Sequence, residues 1–236
     1  MPSGERNTRL TRRRIDLVTM VAGFGMLFVC AIPASTGRVG SLERSIFEAI
    51  NGLSGGLEPM AHAAQFLGVL AVGPVIAGIA VVARRPRLAL AALLVTAGKL
   101  LAERALWEVV QRERPAQTQL APIIRGDTAT TGLSFVSGHV VLVTSLAWIV
   151  TPYLRGRWRA LPWAMVLIVA FARIYLGAHN PLDVIGGLGL GLAVGSLVSF
   201  LVGVLGDAGE PAGPSPPSRP GHPPASRTRS TSRRSS

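Results

Sequence analysis

The apolar residues of this chain gather into long unbroken runs, near 15–34, 65–83, 88–106, 139–154, 160–176 and 182–205. Several reach the ~20 residues that a helix rising 1.5 Å per residue needs to cross ~30 Å of hydrocarbon. The run from Leu161 reaches that length only by including Tyr175 and Leu176. Inside a bilayer only helices and closed barrels satisfy their own backbone polar groups. Barrel strands alternate apolar and polar residues, and these runs do not. The expected fold is therefore all-α, an integral membrane bundle of six transmembrane helices.

Charge placement orients such a bundle. Only 15% of the 236 residues are charged, yet the net charge is +12. The arginines cluster at Arg6, Arg9 and Arg12–Arg14; at Arg84, Arg85 and Arg87; at Arg155, Arg157 and Arg159; and from Arg219 to Arg234. With six spans these four segments share one side, which the positive-inside rule makes cytoplasmic. The basicity is a topology signal, strengthened by attraction to anionic lipid, and a nucleic-acid partner is disfavoured. The first run exceeds the usual 7–15-residue core of a signal peptide, and Ile32-Pro33-Ala34 is a poor cleavage site, so an uncleaved helix is expected. Cys30, the single cysteine, rules out an intramolecular disulfide and a multi-cysteine metal site.

Three regions follow: a basic cytoplasmic leader (1–14), a six-helix membrane domain (15–206) and a Pro/Ser/Arg-rich tail (207–236). The tail lacks the apolar surface to fold and is expected to be disordered. In the outer segment 35–62, Leu42, Ile46, Phe47, Ile50 and Leu53 recur at helical spacing. That pattern fits a helix lying in the interface or one packed on the bundle. A second, polar outer loop spans about 108–134.

Three motifs fall at the outer ends of the runs: Arg114-Pro115; Ser137-Gly138-His139; and Arg173, His179 and Asp183. Arginine stays charged and presents a planar fork suited to phosphate oxygens. Two arginines can neutralise the charge of a phosphoryl transition state. Ser137-Gly138 opens the fourth run, where free helix amides and a side-chain-free backbone suit an anion. Asn180-Pro181-Leu182-Asp183 reads as N-cap to N3, starting the sixth run directly after His179. Asp183 is placed to accept a hydrogen bond from His179 and hold its tautomer. Two histidines divide the work, one attacking phosphorus and the other protonating the leaving oxygen. A histidine–carboxylate metal site is the rival chemistry, disfavoured because two arginines repel a cation.

On these residues the chain resembles the type 2 phosphatidic acid phosphatase family of integral membrane lipid phosphatases. The family pattern Lys-x6-Arg-Pro, Pro-Ser-Gly-His, Ser-Arg-x5-His-x3-Asp reads here as Trp107-x6-Arg114-Pro115, Val136-Ser137-Gly138-His139 and Ala172-Arg173-x5-His179-x3-Asp183. The resemblance implies His179 as nucleophile oriented by Asp183, His139 as acid, and Arg114, Arg173, Ser137 and Gly138 as phosphate ligands, with no metal or cofactor. Trp107 stands where the family has a phosphate-binding lysine. Arg104, one turn deeper, is the first candidate to replace that charge, with Arg112 or Arg125 as others. Lys99 is expected to pair with Glu103 at i+4. The reading is a phosphatase acting on a lipid mono- or diphosphate from the extracytoplasmic face of the plasma membrane, among membrane lipids as partners. A lipid phosphotransferase on the same site and a catalytically silent lipid-binding protein are the alternatives.

Overall fold

The computed structural model describes residues 10–11, 13–119 and 121–205. The expected tail and most of the basic leader lie outside them. Among the described residues the fold is helical: α1 (Arg14–Ser35), α2 (Ser41–Asn51), α3 (Glu58–Gln65), α4 (Val72–Val82), α5 (Pro86–Val109), α6 (Pro115–Thr118), α7 (Gly138–Val150), α8 (Leu161–Tyr175) and α9 (Pro181–Val202). The exception is a two-residue antiparallel pairing of Leu10–Thr11 with Val204–Leu205.

Length and apolarity qualify three helices to cross a membrane: α1, α8 with its leading turn (Gly156–Tyr175), and α9. The segments 55–68 and 72–82, bent by 62°, make a fourth if counted as one broken span. The expected count of six is therefore not reached by this measure. The apolar run 65–83 is not one helix, because a 3₁₀ turn at Phe66–Gly68 intervenes before α4. The 24-residue α5 carries Arg87, Lys99, Glu103, Arg104 and Glu108, and α7 has 13 residues. Large apolar side chains such as Val18, Val21, Phe28 and Val29 on α1 and Leu167 on α8 face outward. In an integral membrane protein that is the lipid-facing surface, not a defect of burial.

Without a hydrophobic force between helices in lipid, close packing of small residues holds a bundle together. α9 supplies it. A methyl in place of a Gly23 hydrogen would lie 2.6 Å from the Gly189 carbonyl oxygen, so α1 and α9 cross backbone to backbone. On α9, Gly187, Gly191 and Gly195 meet α7, where added methyls would strike Val140, Thr144 and Ser145. α4 pairs with α5, α3 packs on α8, and α5 rests against α7 and α9.

The described basic clusters share one end of the bundle. The Arg85 guanidinium lies 5.0 Å from the Tyr153 ring, joining the α4–α5 and α7–α8 turns. Arg13, at the start of α1, donates to Ser199 near the end of α9 at 3.4 Å. Asp16 is buried there, accepting from Arg13 and from Trp148 Nε1.

α2 packs on the opposite end through a mixed polar and apolar face. Glu43, Phe47 and Asn51 are buried, while Leu42, Ile46 and Leu53 point outward. Asn51 explains part of this, since it donates to the Ile123 and Tyr175 carbonyls and accepts from the Ile123 amide.

Candidate active site

Three chain turns build the site at the end away from the basic clusters. The first is Ser134–Gly138, which opens α7 with Ser137 as N-cap. The Ser137 amide donates to the Asp183 carbonyl at 3.0 Å, clamping this turn to α9. The second links α8 to α9. Gly177, at φ +77°, takes the left-handed conformation that ends a helix and needs no Cβ. The amides of Ala178 and His179 then both donate to the Arg173 carbonyl, at 3.1 and 3.2 Å. Asn180 caps α9 with Pro181 at its first position, as its sequence predicts, and the Asn180 amide donates to Asp183 Oδ2 at 2.8 Å. The third is the strand-like stretch 110–114, where Glu113 bridges Leu133 and the Ser134 amide donates to the Arg112 carbonyl.

His179 is 4% exposed. Its Nδ1 lies 3.0 Å from the Ser134 carbonyl oxygen. A carbonyl only accepts, so Nδ1 carries the proton and the lone pair sits on Nε2. Asp183 does not meet the ring directly: Oδ2 is 3.9 Å from Nδ1. Between them stands the Ser134 hydroxyl, which donates to Asp183 Oδ2 and lies 3.4 Å from Nδ1. Burial pushes the His179 pKa down to about 4, further lowered by Arg173 and only partly offset by Asp183.

Asp183 is fully buried and saturated. Its Oδ1 accepts from Arg112 at 3.0 Å. Arg112 also donates to both oxygens of Glu43, at 3.0 and 2.6 Å, and Glu43 accepts the Leu182 amide at 2.9 Å. Burial pulls the Arg112 pKa down, but the two carboxylates outweigh it and hold the pKa above its ordinary value. A chain of contacts thus runs from α2 through Glu43, Arg112, Asp183 and Ser134 to His179.

Two further arginines are differently placed. Arg114 is half-buried and donates to the Thr131 and Ala178 carbonyls, at 2.9 and 3.0 Å. Burial lowers its pKa, with Asp183 and Glu103 opposing. Arg173 donates from one terminal nitrogen to Gln65 at 2.8 Å, while its buried Nε has no partner. The Ser137 hydroxyl is likewise buried without a partner. His139 is half-buried, with Gly68 against its ring. Arg114, Arg173 and His179 all lie within electrostatic range of His139.

Of the residues predicted from sequence, His139, His179, Asp183, Arg114, Arg173, Ser137 and Gly138 come together. Arg104 does not: it is exposed, about 100° around α5 from Glu103. Arg112 is engaged by two carboxylates. Arg125 is occupied as a staple, donating to the Tyr175, Asn51 and Leu53 carbonyls with its guanidinium 3.9 Å from the Tyr175 ring. Glu43, Ser134 and Gln65 were not anticipated. The one sequence signal for Glu43 was a carboxylate inside an amphipathic pattern. Among the described residues no group of three or more His, Cys, Asp or Glu side chains is placed to hold a metal ion.

Comparison with known proteins extends this geometry. The profile of the PAP2 superfamily matches residues 88–205. Two Mycobacterium tuberculosis strains (CDC 1551 / Oshkosh and H37Rv) carry a decaprenylphosphoryl-5-phosphoribose phosphatase 38% identical over 97 residues, 40% of this chain and 50% of theirs. A lipid A 4'-phosphatase of Porphyromonas gingivalis is 37% identical over 65 residues, 27% of this chain and 28% of its own. The chain spans about half the length of the first of these relatives and less of the other. The crystal structure of Aquifex aeolicus LpxE superposes with a TM-score of 0.63 at 20% identity, over 67% of this chain and 95% of that one. That of a Bacillus subtilis transmembrane PAP2 type phosphatidylglycerolphosphate phosphatase gives 0.62 at 24% identity, over 77% and 94%. At these identities the likeness is one of fold.

Proposed function

Because the chain belongs to the PAP2 superfamily, we propose that it is a membrane phosphatase that hydrolyses a lipid mono- or diphosphate through a phosphohistidine. Polyprenyl phosphates and diphosphates, phosphatidic acid and phosphatidylglycerophosphate are the substrate classes. The observation that carries the reading is that two of the buried donors without partners fall within the site motifs: Ser137 Oγ at the start of α7 and Arg173 Nε in the last turn of α8. Leaving a buried donor unpaired costs about 1–3 kcal/mol, so such donors call for an acceptor. A phosphoryl group supplies several.

In the proposed reaction the phosphate oxygens take donors from Arg114, Arg173, Ser137 and the first amides of α7. His179 Nε2 attacks phosphorus, and the bond from phosphorus to the lipid oxygen breaks. His139 gives its proton to that oxygen. The new imidazolium keeps its Nδ1 proton on the Ser134 carbonyl, with the charge of Asp183 close by. His139 then takes a proton from water as that water attacks phosphorus. The P–N bond breaks, releasing phosphate and restoring both histidines. All charge is handled by side chains and helix amides, so the mechanism requires no metal.

The basic clusters at the far end support placing this site on the extracytoplasmic face, with six membrane crossings and both termini inside. The test is phosphate release by the purified chain from a panel of lipid phosphates in EDTA. Metal-independent release is expected, and the absence of release across the panel would reject the proposal. Transfer to an acceptor without free phosphate would point to a phosphotransferase.

A further inference from the structure

Lys99 and Glu103 form an ion pair at 2.5 Å, with side chains only 13% and 12% exposed. Charges within a membrane helix are costly and tend to mark function. This pair stands against the opening of α7. A methyl in place of a Gly138 hydrogen would lie 2.2 Å from Glu103 Oε1 and 2.8 Å from Lys99 Nζ. Gly138 is the first residue of α7, where amides lack intrahelical acceptors and the helix end favours an anion. The carboxylate that now sits there is Glu103. Its neighbour Ser137 has a fully buried hydroxyl with no partner. Glu103 also acts on the charge of Arg114 across the site.

Resting on the phosphatase reading above, we propose that Lys99 is a third cationic ligand of the substrate phosphate and Glu103 its displaceable counter-ion. Before substrate arrives, Glu103 holds the ammonium beside the α7 terminus. A phosphoryl group carries more charge than a carboxylate and draws Lys99 away from it. The two side chains therefore act with opposite sign: Lys99 favours phosphate binding, and Glu103 competes with it.

The test uses the full chain in detergent micelles with inorganic phosphate as probe, and calorimetry reads binding independently of turnover. Lys99→Met combined with Glu103→Met removes both charges and leaves neither unpaired. This double variant should bind phosphate roughly tenfold or more weakly, the lower range for a lost charge-assisted hydrogen bond. Glu103→Gln keeps the ammonium and removes its competitor, so it should bind phosphate more tightly. Lys99→Arg should stay near wild type.

A purely structural pair would change thermal stability in these variants and leave phosphate affinity alone. Wild-type affinity in the double variant, or no tightening in Glu103→Gln, overturns the assignment. Glu103→Gln carries the test by itself if the double variant does not fold. Wild-type turnover is scored separately. The expected affinity pattern in a chain that releases no phosphate from lipid would sink the hydrolase reading and leave Lys99 a ligand. Turnover with unmoved affinities would do the reverse.

Discussion

Arg112 offers the sharpest test of how the site is held. It is 0% exposed and makes three hydrogen bonds to two carboxylates, Glu43 and Asp183. Arg112→Met leaves two buried carboxylates without their shared cation. Removing one partner of a buried pair costs about 3–5 kcal/mol. At about 2–4 °C per kcal/mol for a chain of this size, the melting temperature should fall by about 6–20 °C. Thermal denaturation in detergent measures this directly. The loss should be largest at alkaline pH and shrink as pH falls. A folded variant that takes up a proton more readily than the unfolded chain loses stability as pH rises. Arg112→Lys should fall between, since one ammonium cannot reproduce a fork that spans two carboxylates. A wild-type melting temperature for Arg112→Met at neutral pH would show that the network is not what holds α2 to α9.

Three further outcomes are expected. His179→Ala should abolish lipid-phosphate turnover, and His139→Ala should slow it by about 10²–10⁴-fold; retained activity in His179→Ala would refute the phosphohistidine. With its pKa held near 4 by burial, His179 stays neutral and nucleophilic until pH falls to that value. The acid limb of kcat/KM should therefore lie near 4, and a limb at 6.5 or above assigned to His179 would contradict the burial argument. With Cys30 replaced, a cysteine at Gln117 should react with an impermeant thiol reagent outside intact cells and one at Ser230 should not; the opposite pattern would reverse the orientation.

The all-helical class and the family motifs were legible in the sequence because both are written locally. Apolar runs mark membrane helices by length alone, and the motif around His179 carries its own cap and glycine turn. What escaped it depends on distant partners. Periodicity marks an amphipathic helix here, lying in the interface or packed on the bundle, and assigns no role to Glu43. The structure turns Glu43 inward, because its partners are Arg112 and Leu182, 69 and 139 residues away. For the same reason the sequence offers Arg112 only as an alternative phosphate cation, whereas the structure engages it with Glu43 and Asp183. Arg104 was chosen by its height on α5, but the helix turns it outward, while Lys99 and Glu103 face the α7 terminus. Lys99 was expected only to pair with Glu103, which it does; its position beside Gly138 could not be read from one helix.

The glycines of α9 have a consequence for how this chain tolerates change. At Gly187 an added methyl would lie 3.0 Å from the Ser137 carbonyl oxygen, and at Gly191 it would lie 2.6 Å from Thr144 Cβ. The separation of His139 from His179 is thus fixed by two helices in near backbone contact, not by adaptable side chains. A residue as small as alanine at these positions acts as a wedge between the helix ends that hold the two histidines. In a mutational map of the chain, this chemically inert stripe should be as unforgiving as the histidines themselves. The outward apolar face of α1 should accept almost any lipid-soluble residue.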